Sequence, residues 1–238
     1  IWYSANNGTT WQLVKRVNAT EGVGNTFWDV NVSTVVTNQG RMKMNSSTND
    51  LVADTTGAFN IVENFDIATP ENGTVLVANQ SYPINWTTAG GITALGNVTL
   101  WFYNGTDWRQ IESGNITNNG TYNWTTPTDT ISANCRVRVQ SAINPNNFNN
   151  SALPFILRGS INLTVPDGSE QWLVASSYPI NWNYVGPIQN VTIQYSSEGG
   201  ASGTWNRTVV ASTPAAPNSY NWTLPDDINL STLAKIKV

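Results

Sequence analysis

The chain has 238 residues and a mass of 26.0 kDa, with 15 acidic and 11 basic side chains, a net charge of -4 and a pI near 4.7. It has no His and one Cys, Cys135, which excludes a Ser-His-Asp or Cys-His pair, a His metal ligand and an internal disulfide. Its few Lys and Arg are scattered, so no phosphate-binding patch forms and no nucleic-acid partner is expected; no apolar stretch approaches the ~20 residues of a membrane span.

In chain order, the first elements are the aromatic segment Ile1-Trp2-Tyr3-Ser4, then Trp11, Phe27-Trp28-Asp29-Val30, the alternating run Arg41-Met42-Lys43-Met44 and the closing Ala58 to Val62. From residue 63 the chain reads FDIATP, then PENGTVLVANQSYPINW from Pro70 to Trp86, LWFY at 100–103, YNWTTP at 122–127, RVRV at 136–139 and FILR at 155–158. From residue 159 it reads INLTVP, PDGSEQWLVASSYPINW from Pro166 to Trp182, IQYS at 193–196, YNWTLP at 220–225 and KIKV at 235–238. The matching segments recur at an offset of about 96, a tandem repeat. Residues 1–62 are the C-terminal half of a repeat, 63–158 a complete repeat, and 159–238 a repeat lacking its last strand.

Every repeat reads as β. In YPINW, Ile84 and Trp86 share one face and Asn85 the other; Ile180, Trp182 and Asn181 do the same. Val98, Leu100 and Phe102 alternate with Thr99, Trp101 and Tyr103, and Asn104-Gly105 is a two-residue hairpin signal. Short strands broken by Gly, Pro and Asn every ~8 to 12 residues predict a two-sheet sandwich of immunoglobulin-like size. The fold class expected is all-β: tandem immunoglobulin-like sandwiches, joined by one or two residues into a rod-like stack. The strands missing from 1–62 and 159–238 come either from a longer parent chain or from another copy by β-strand addition, which would propagate a filament.

The eleven Trp fall on five repeat positions: Trp86 and Trp182; Trp28, Trp124 and Trp222; Trp11, Trp108 and Trp205; Trp2 and Trp101, with Gln194 third; and Trp172, which matches Leu76. A Trp fixed in a sandwich strand packs the core, the expectation for Trp86, Trp182, Trp124 and Trp222. Trp2 and Trp101 lie on the opposite face from Leu100 and Phe102. They are interface candidates, for contact with another subunit or for packing under a local glycan.

Eighteen of the 33 Asn sit in N-x-[ST] sequons, where a Ser and Thr content of 48 in 238 gives roughly seven by chance. The glycosylation candidates are Asn7, Asn18, Asn31, Asn45, Asn72, Asn79, Asn85, Asn97, Asn104, Asn115, Asn119, Asn123, Asn149, Asn162, Asn190, Asn206, Asn221 and Asn229. Asn85, Asn123 and Asn221 flank core Trp and should point outward; Asn7, Asn72, Asn104 and Asn119 stand in Asn-Gly turns. Excess and placement favour N-glycans over incidental sequons, and so an extracellular or cell-surface setting. Without disulfides, an archaeal surface fits better than a eukaryotic one.

The ordered set of P-x-x-G, Y-P-I-N-W, N-V-T-L-W-F-Y or N-V-T-I-Q-Y-S, Y-N-W-T-x-P and R-V-R-V resembles the Ig-like modules of Ser/Thr-rich, GPI-anchored fungal wall proteins and of tandem repeats in large bacterial and archaeal surface proteins. The resemblance implies a β-sandwich with a structural or surface role and transfers no catalytic residue. No enzyme, catalytic site, metal site or cofactor is expected; Asp226-Asp227, the one adjacent acidic pair, is a weak Ca²⁺ candidate in a turn. The function expected is a structural extracellular glycoprotein whose partner is itself, as homopolymer or longer parent chain, in a filament, stalk or surface layer. The alternative is an adhesin stalk that recognises polysaccharide or another surface.

Overall fold

The computed structural model describes residues 1–18, 24–30, 36–49, 51–89 and 96–238; among them there are strands, turns and loops and no helix. The first repeat supplies β1 (Trp2–Ser4), β2 (Gln12–Leu13), β3 (Thr37–Asn45), β4 (Ala53–Thr55) and β5 (Phe59–Ile61). The second supplies β6 (Asn64–Thr69), β7 (Val75–Val77), β8 (Ser81–Ala89), β9 (Asn97–Tyr103), β10 (Trp108–Gln110), β11 (Ile116–Thr117), β12 (Thr121–Thr125), β13 (Ser132–Ser141), β14 (Phe148–Asn150) and β15 (Phe155–Arg158). The third supplies β16 (Ser160–Val165), β17 (Ser177–Val185), β18 (Asn190–Ser196), β19 (Arg207–Pro214), β20 (Ser219–Thr223) and β21 (Lys235–Lys237).

The chain divides into two compact units: Ile1–Asn72, Pro83–Trp124 and Cys135–Pro154 form one; Gly73–Tyr82, Thr125–Asn134 and Phe155–Val238 form the other. In the first, β1 lies between β2 and β3, and β3 also carries β4 and β5; β8 lies between β6 and β12; β9 pairs with β10, β11 and β13, and β13 with β14. In the second, β15 pairs in parallel with β7, and two three-stranded sheets, β16-β17-β20 and β19-β18-β21, face each other.

One register recurs in all three repeats. Trp2 stands opposite Lys43, Trp101 opposite Arg138 and Gln194 opposite Lys237. One residue on, Tyr3 meets Met42, Phe102 meets Val137 and Tyr195 meets Ile236. Because the side-chain period is two, this register sends the second set inward and the first outward. Each inward aromatic then meets the aligned Trp: Tyr3 and Trp28 at 4.8 Å between ring centroids, Phe102 and Trp124 at 4.9 Å, Tyr195 and Trp222 at 5.6 Å, all tilted.

The YPINW strands carry the deepest side chains. Ile84 and Ile180 are fully buried, Trp86 is 3% and Trp182 1% exposed. Each indole N–H is satisfied, by Asn118 Oδ1 at 2.7 Å for Trp86 and by the Ala215 carbonyl at 3.0 Å for Trp182. The strands paired with the YPINW strands carry a register shift at the same place, between Ile67 and Thr69 on β6 and between Leu163 and Val165 on β16. The phenol of Tyr82 accepts the Val77 N–H at 3.1 Å, and that of Tyr178 accepts the Leu173 N–H at 3.0 Å. Around Trp182 the third repeat closes a continuous core of Ile180, Val191, Ile193, Tyr195, Trp222 and Leu224. Each such side chain contributes about 1.5–3 kcal/mol by burial.

Residues 1–62 show one sheet among those described. Met44 is 56% exposed where the aligned Val139 is fully buried, so the inward row of β3 stays open at that end. At the joint after β5, Glu63 is buried. Its carboxylate accepts from Ser141 Oγ at 3.0 Å and from Asn147 Nδ2 at 2.6 Å, and Asn147 Nδ2 also donates to the Glu63 carbonyl. At the joint after β15, Gly159 lies so close to β17 that a Cβ there would stand 2.5 Å from the Val185 carbonyl oxygen and 3.1 Å from Ile131 and Ile188. Both joints are thus closely packed, one by hydrogen bonds and one by lack of a side chain.

Candidate functional site: the sequon asparagines and the outer sheet face

Asn31 lies outside the described residues. Of the other seventeen sequon asparagines none is buried; Asn45, Asn85 and Asn104 are half-buried and the rest exposed. Asn118, outside any sequon, is buried. Asn123 and Asn221 point out beside buried Trp124 and Trp222, as the alternation requires. Asn85 differs: it is half-buried because its Oδ1 accepts the cross-strand hydroxyl of Thr121 at 2.7 Å.

Glycan attachment takes an Asn Nδ2 proton and leaves Oδ1 as an acceptor. The turn asparagines suit that chemistry. Asn7 Oδ1 accepts from Arg41 Nε at 2.6 Å, Asn104 Oδ1 accepts the N–H groups of Thr106 and Asp107 at 2.8 Å each, and Asn119 Oδ1 accepts the Thr121 N–H at 3.2 Å. Asn149 is the opposite case. Its Nδ2 donates to the Phe65 carbonyl at 2.7 Å, and the hydroxyl of its sequon Ser151 is buried, accepting the Val137 N–H at 3.2 Å.

Trp2 and Trp101 are half-buried rather than fully turned to solvent. The Trp2 indole N–H donates to Asn45 Oδ1 at 2.7 Å, and that of Trp101 to Thr99 Oγ1 at 3.0 Å. Both indoles are therefore tied to a residue of a sequon on the outer face, Asn45 itself or the Thr of the Asn97 sequon.

The Trp11, Trp108 and Trp205 column is not core. Each ring is half-buried under a cation from the neighbouring run: Lys43 Nζ is 4.8 Å from the Trp11 centroid, the Arg138 guanidinium carbon 4.1 Å from that of Trp108, and Lys237 Nζ 4.6 Å from that of Trp205. Arg138 is also 4.0 Å from Phe148, and its Nε donates to Asn150 Oδ1 at 2.8 Å. Burial between two rings lowers the Arg138 pKa from its ordinary value. The sequence signal for these pairs is the basic residue shared by RMKM, RVRV and KIKV, which marks the outward row of one strand in each repeat.

Asp227 of the acidic turn is ion-paired with Arg207 at 2.8 Å. Among the described residues no three His, Cys, Asp or Glu side chains converge as a metal site, and no helix is long and apolar enough to cross a membrane.

Sheets facing each other across aromatic pairs, repeated in register, make this a protein of tandem immunoglobulin-like β-sandwiches. No protein-family model and no curated protein matches its sequence. Among solved structures it is similar to the fibronectin(III)-like modules of Clostridium thermocellum CbhA, at 17% identity and a TM-score of 0.27, over 67% of this chain and 78% of that one. It is also similar to E. coli alpha-2-macroglobulin in its native conformation, at 13% identity and a TM-score of 0.26, over 74% of this chain and 12% of that one. A third likeness is to the three N-terminal domains of the bacteriophage RB49 highly immunogenic outer capsid protein, at 9% identity and a TM-score of 0.26, over 78% and 65%. At these TM-scores none of the three assigns a function.

Proposed function

We propose that the chain is part of a structural extracellular glycoprotein, whose Ig-like sandwiches build a cell-surface filament, stalk or surface layer and carry N-glycans over their outer surface. The observation that supports this reading is the exposure of the sequons: seventeen described sequon asparagines lie on all three repeats and none is buried. Asparagine is seldom buried in any case, so the discriminating support is the excess: eighteen sequons where composition gives roughly seven. Glycans would also supply the surface hydration that 11% charged residues leave wanting. Two closely packed joints suit a load-bearing string better than a flexible one.

The test is glycopeptide mass spectrometry of protein from its native source, together with negative-stain electron microscopy of the same material. The expected result is hexose-containing adducts on most described sequons and ordered filaments, stalks or sheets. Unmodified asparagines with dispersed monomers would overturn the reading.

A further inference from the structure

We propose that the outer face of the β14-β13-β9-β10 sheet binds an acidic polysaccharide, sugar rings stacking on Trp101 and Tyr103 while Arg138 pairs with a carboxylate of the uronic-acid kind. This goes beyond the scaffold reading and does not rest on it.

The register assembles the face. Trp101 stands between Arg138 on β13 and Gln110 on β10, and Tyr103 between Arg136 and Trp108. On the far side of β13, Phe148 lies opposite Gln140 and Asn150 opposite Arg138. The Tyr103 and Trp108 rings are 5.3 Å apart, and the Trp101 hydrogen bond to Thr99 draws its indole back along the strand. Aromatic rings set among amides on a pleated sheet offer stacking surfaces and hydrogen-bonding groups together, the two things a sugar ring presents in return.

Arg138 gives the ligand its charge. Its guanidinium is held between the rings of Trp108 and Phe148, and Nε is fixed by Asn150. The two terminal nitrogens make no hydrogen bond among the described residues, so a planar fork is positioned and unspent, the geometry that suits a carboxylate. Arg136 is spent on the carbonyls of Ser151 and Ala152, at 2.8 Å each. The outward positions of these four strands hold two arginines and no Asp or Glu, in a chain whose net charge is -4. The charge on this face thus complements an anionic polymer.

The other repeats set the contrast. At the Trp101 position the third repeat has Gln194, and at the Tyr103 position the first and third have buried Ser4 and Ser196. At the Arg138 position they have Lys43 and Lys237, point charges without the fork. Only the second repeat joins the aromatic pair to an arginine, so the binding face belongs to it alone.

The experiment is affinity electrophoresis of the full chain in gels containing polygalacturonate, alginate or hyaluronate, with neutral dextran as the control. The expected result is retardation by at least one acidic polymer and none by dextran, weakening as salt rises. Trp101→Gln and Arg138→Lys each weaken the apparent affinity roughly tenfold or more. Both replacements install the residue another repeat carries at that place, and an unchanged near-UV circular dichroism spectrum shows that the fold survives. No retardation by any of the three polymers, equal retardation by dextran, or unchanged affinity in both variants would overturn the proposal. So would binding that emerges only after Asn97→Gln, which would make the chain's own glycan the occupant. Trp101→Gln that abolishes self-association and leaves polymer binding intact would assign the face to a second copy.

Discussion

Arg138 stands over Trp108 with its guanidinium carbon 4.1 Å from the ring centroid, and the same clasp holds Trp11 under Lys43 and Trp205 under Lys237. The three pairs lie outside the core, on the sheet that contains the outward row Trp2, Trp101 and Gln194. Each clasp reaches across one intervening strand, β1, β9 or β18, and joins segments that are distant in sequence. A double-mutant cycle with Arg138→Ala and Trp108→Ala is expected to give a coupling of about 0.5–2 kcal/mol in urea unfolding. Additive effects would reduce the clasp to mere proximity.

Gly159 is fixed by what lies beside it. Alanine there would place a methyl group 2.5 Å from the backbone oxygen of Val185, which belongs to a paired strand and cannot rotate away. Gly159→Ala is expected to destabilise the second unit by about 1–3 kcal/mol, read as a lowered urea midpoint. Wild-type stability would mean that β16 shifts freely against β17.

Trp182 gives both bulk and a hydrogen bond. Trp182→Phe keeps an apolar ring but removes the indole donor from the buried Ala215 carbonyl, which retains the Asn218 N–H at 2.9 Å, at a cost of about 0.5–1.5 kcal/mol. Trp182→Ala is expected to cost about 3–5 kcal/mol through the cavity it opens. The measurement is equilibrium denaturation of both variants, and a Trp182→Phe protein as stable as wild type would show that the bond to Ala215 contributes nothing.

Glycan occupancy is expected to differ among the sequons. Asn149 spends Nδ2 on Phe65 and has its sequon hydroxyl buried, whereas Asn123 is exposed on β12. Site-resolved glycopeptide analysis of native protein should find Asn123 occupied and Asn149 largely bare. The reverse order would show that attachment precedes folding and ignores the folded geometry.

The turn before Trp172 carries an acid-sensitive contact. Burial pushes the Glu170 carboxyl up, but the backbone N–H groups of Asp167 and Gly168, at 2.7 and 2.9 Å, outweigh it and hold the group below the ordinary carboxylate value. A lowered folded pKa gives stability that is in place above the unfolded pKa and is lost as pH falls through the folded one. Trp172 stacks on Tyr178 with centroids 5.0 Å apart and planes 1° from parallel, a nearby reporter. Its fluorescence should change in acid below the usual carboxylate range, and Glu170→Gln should remove that transition. An unchanged transition in the variant would assign it to another group.

The repeat, the β class and the sequon positions were legible in the sequence. A period of two and a tandem offset are properties of the string itself, and Trp28, Trp124 and Trp222 each meet the aromatic that the offset assigns them. Alternation also separated Ile84 and Trp86 from Asn85. What it cannot do is tell which outward residues meet across strands, because that depends on the pairing of segments far apart in the chain.

Only the tertiary register put Arg138 beside Trp101 and over Trp108, and only the packing of β14 brought Asn149 to the Phe65 carbonyl. The sequence by itself determined the β class, the tandem offset and the alternation of faces along each strand, since these follow from local stereochemistry repeated along the chain. The folded structure alone decided the partners on each face: which tryptophans lie under cations, which asparagines keep Nδ2 open, and where an unspent arginine stands among rings. Those depend on distances across strands, which no local pattern encodes.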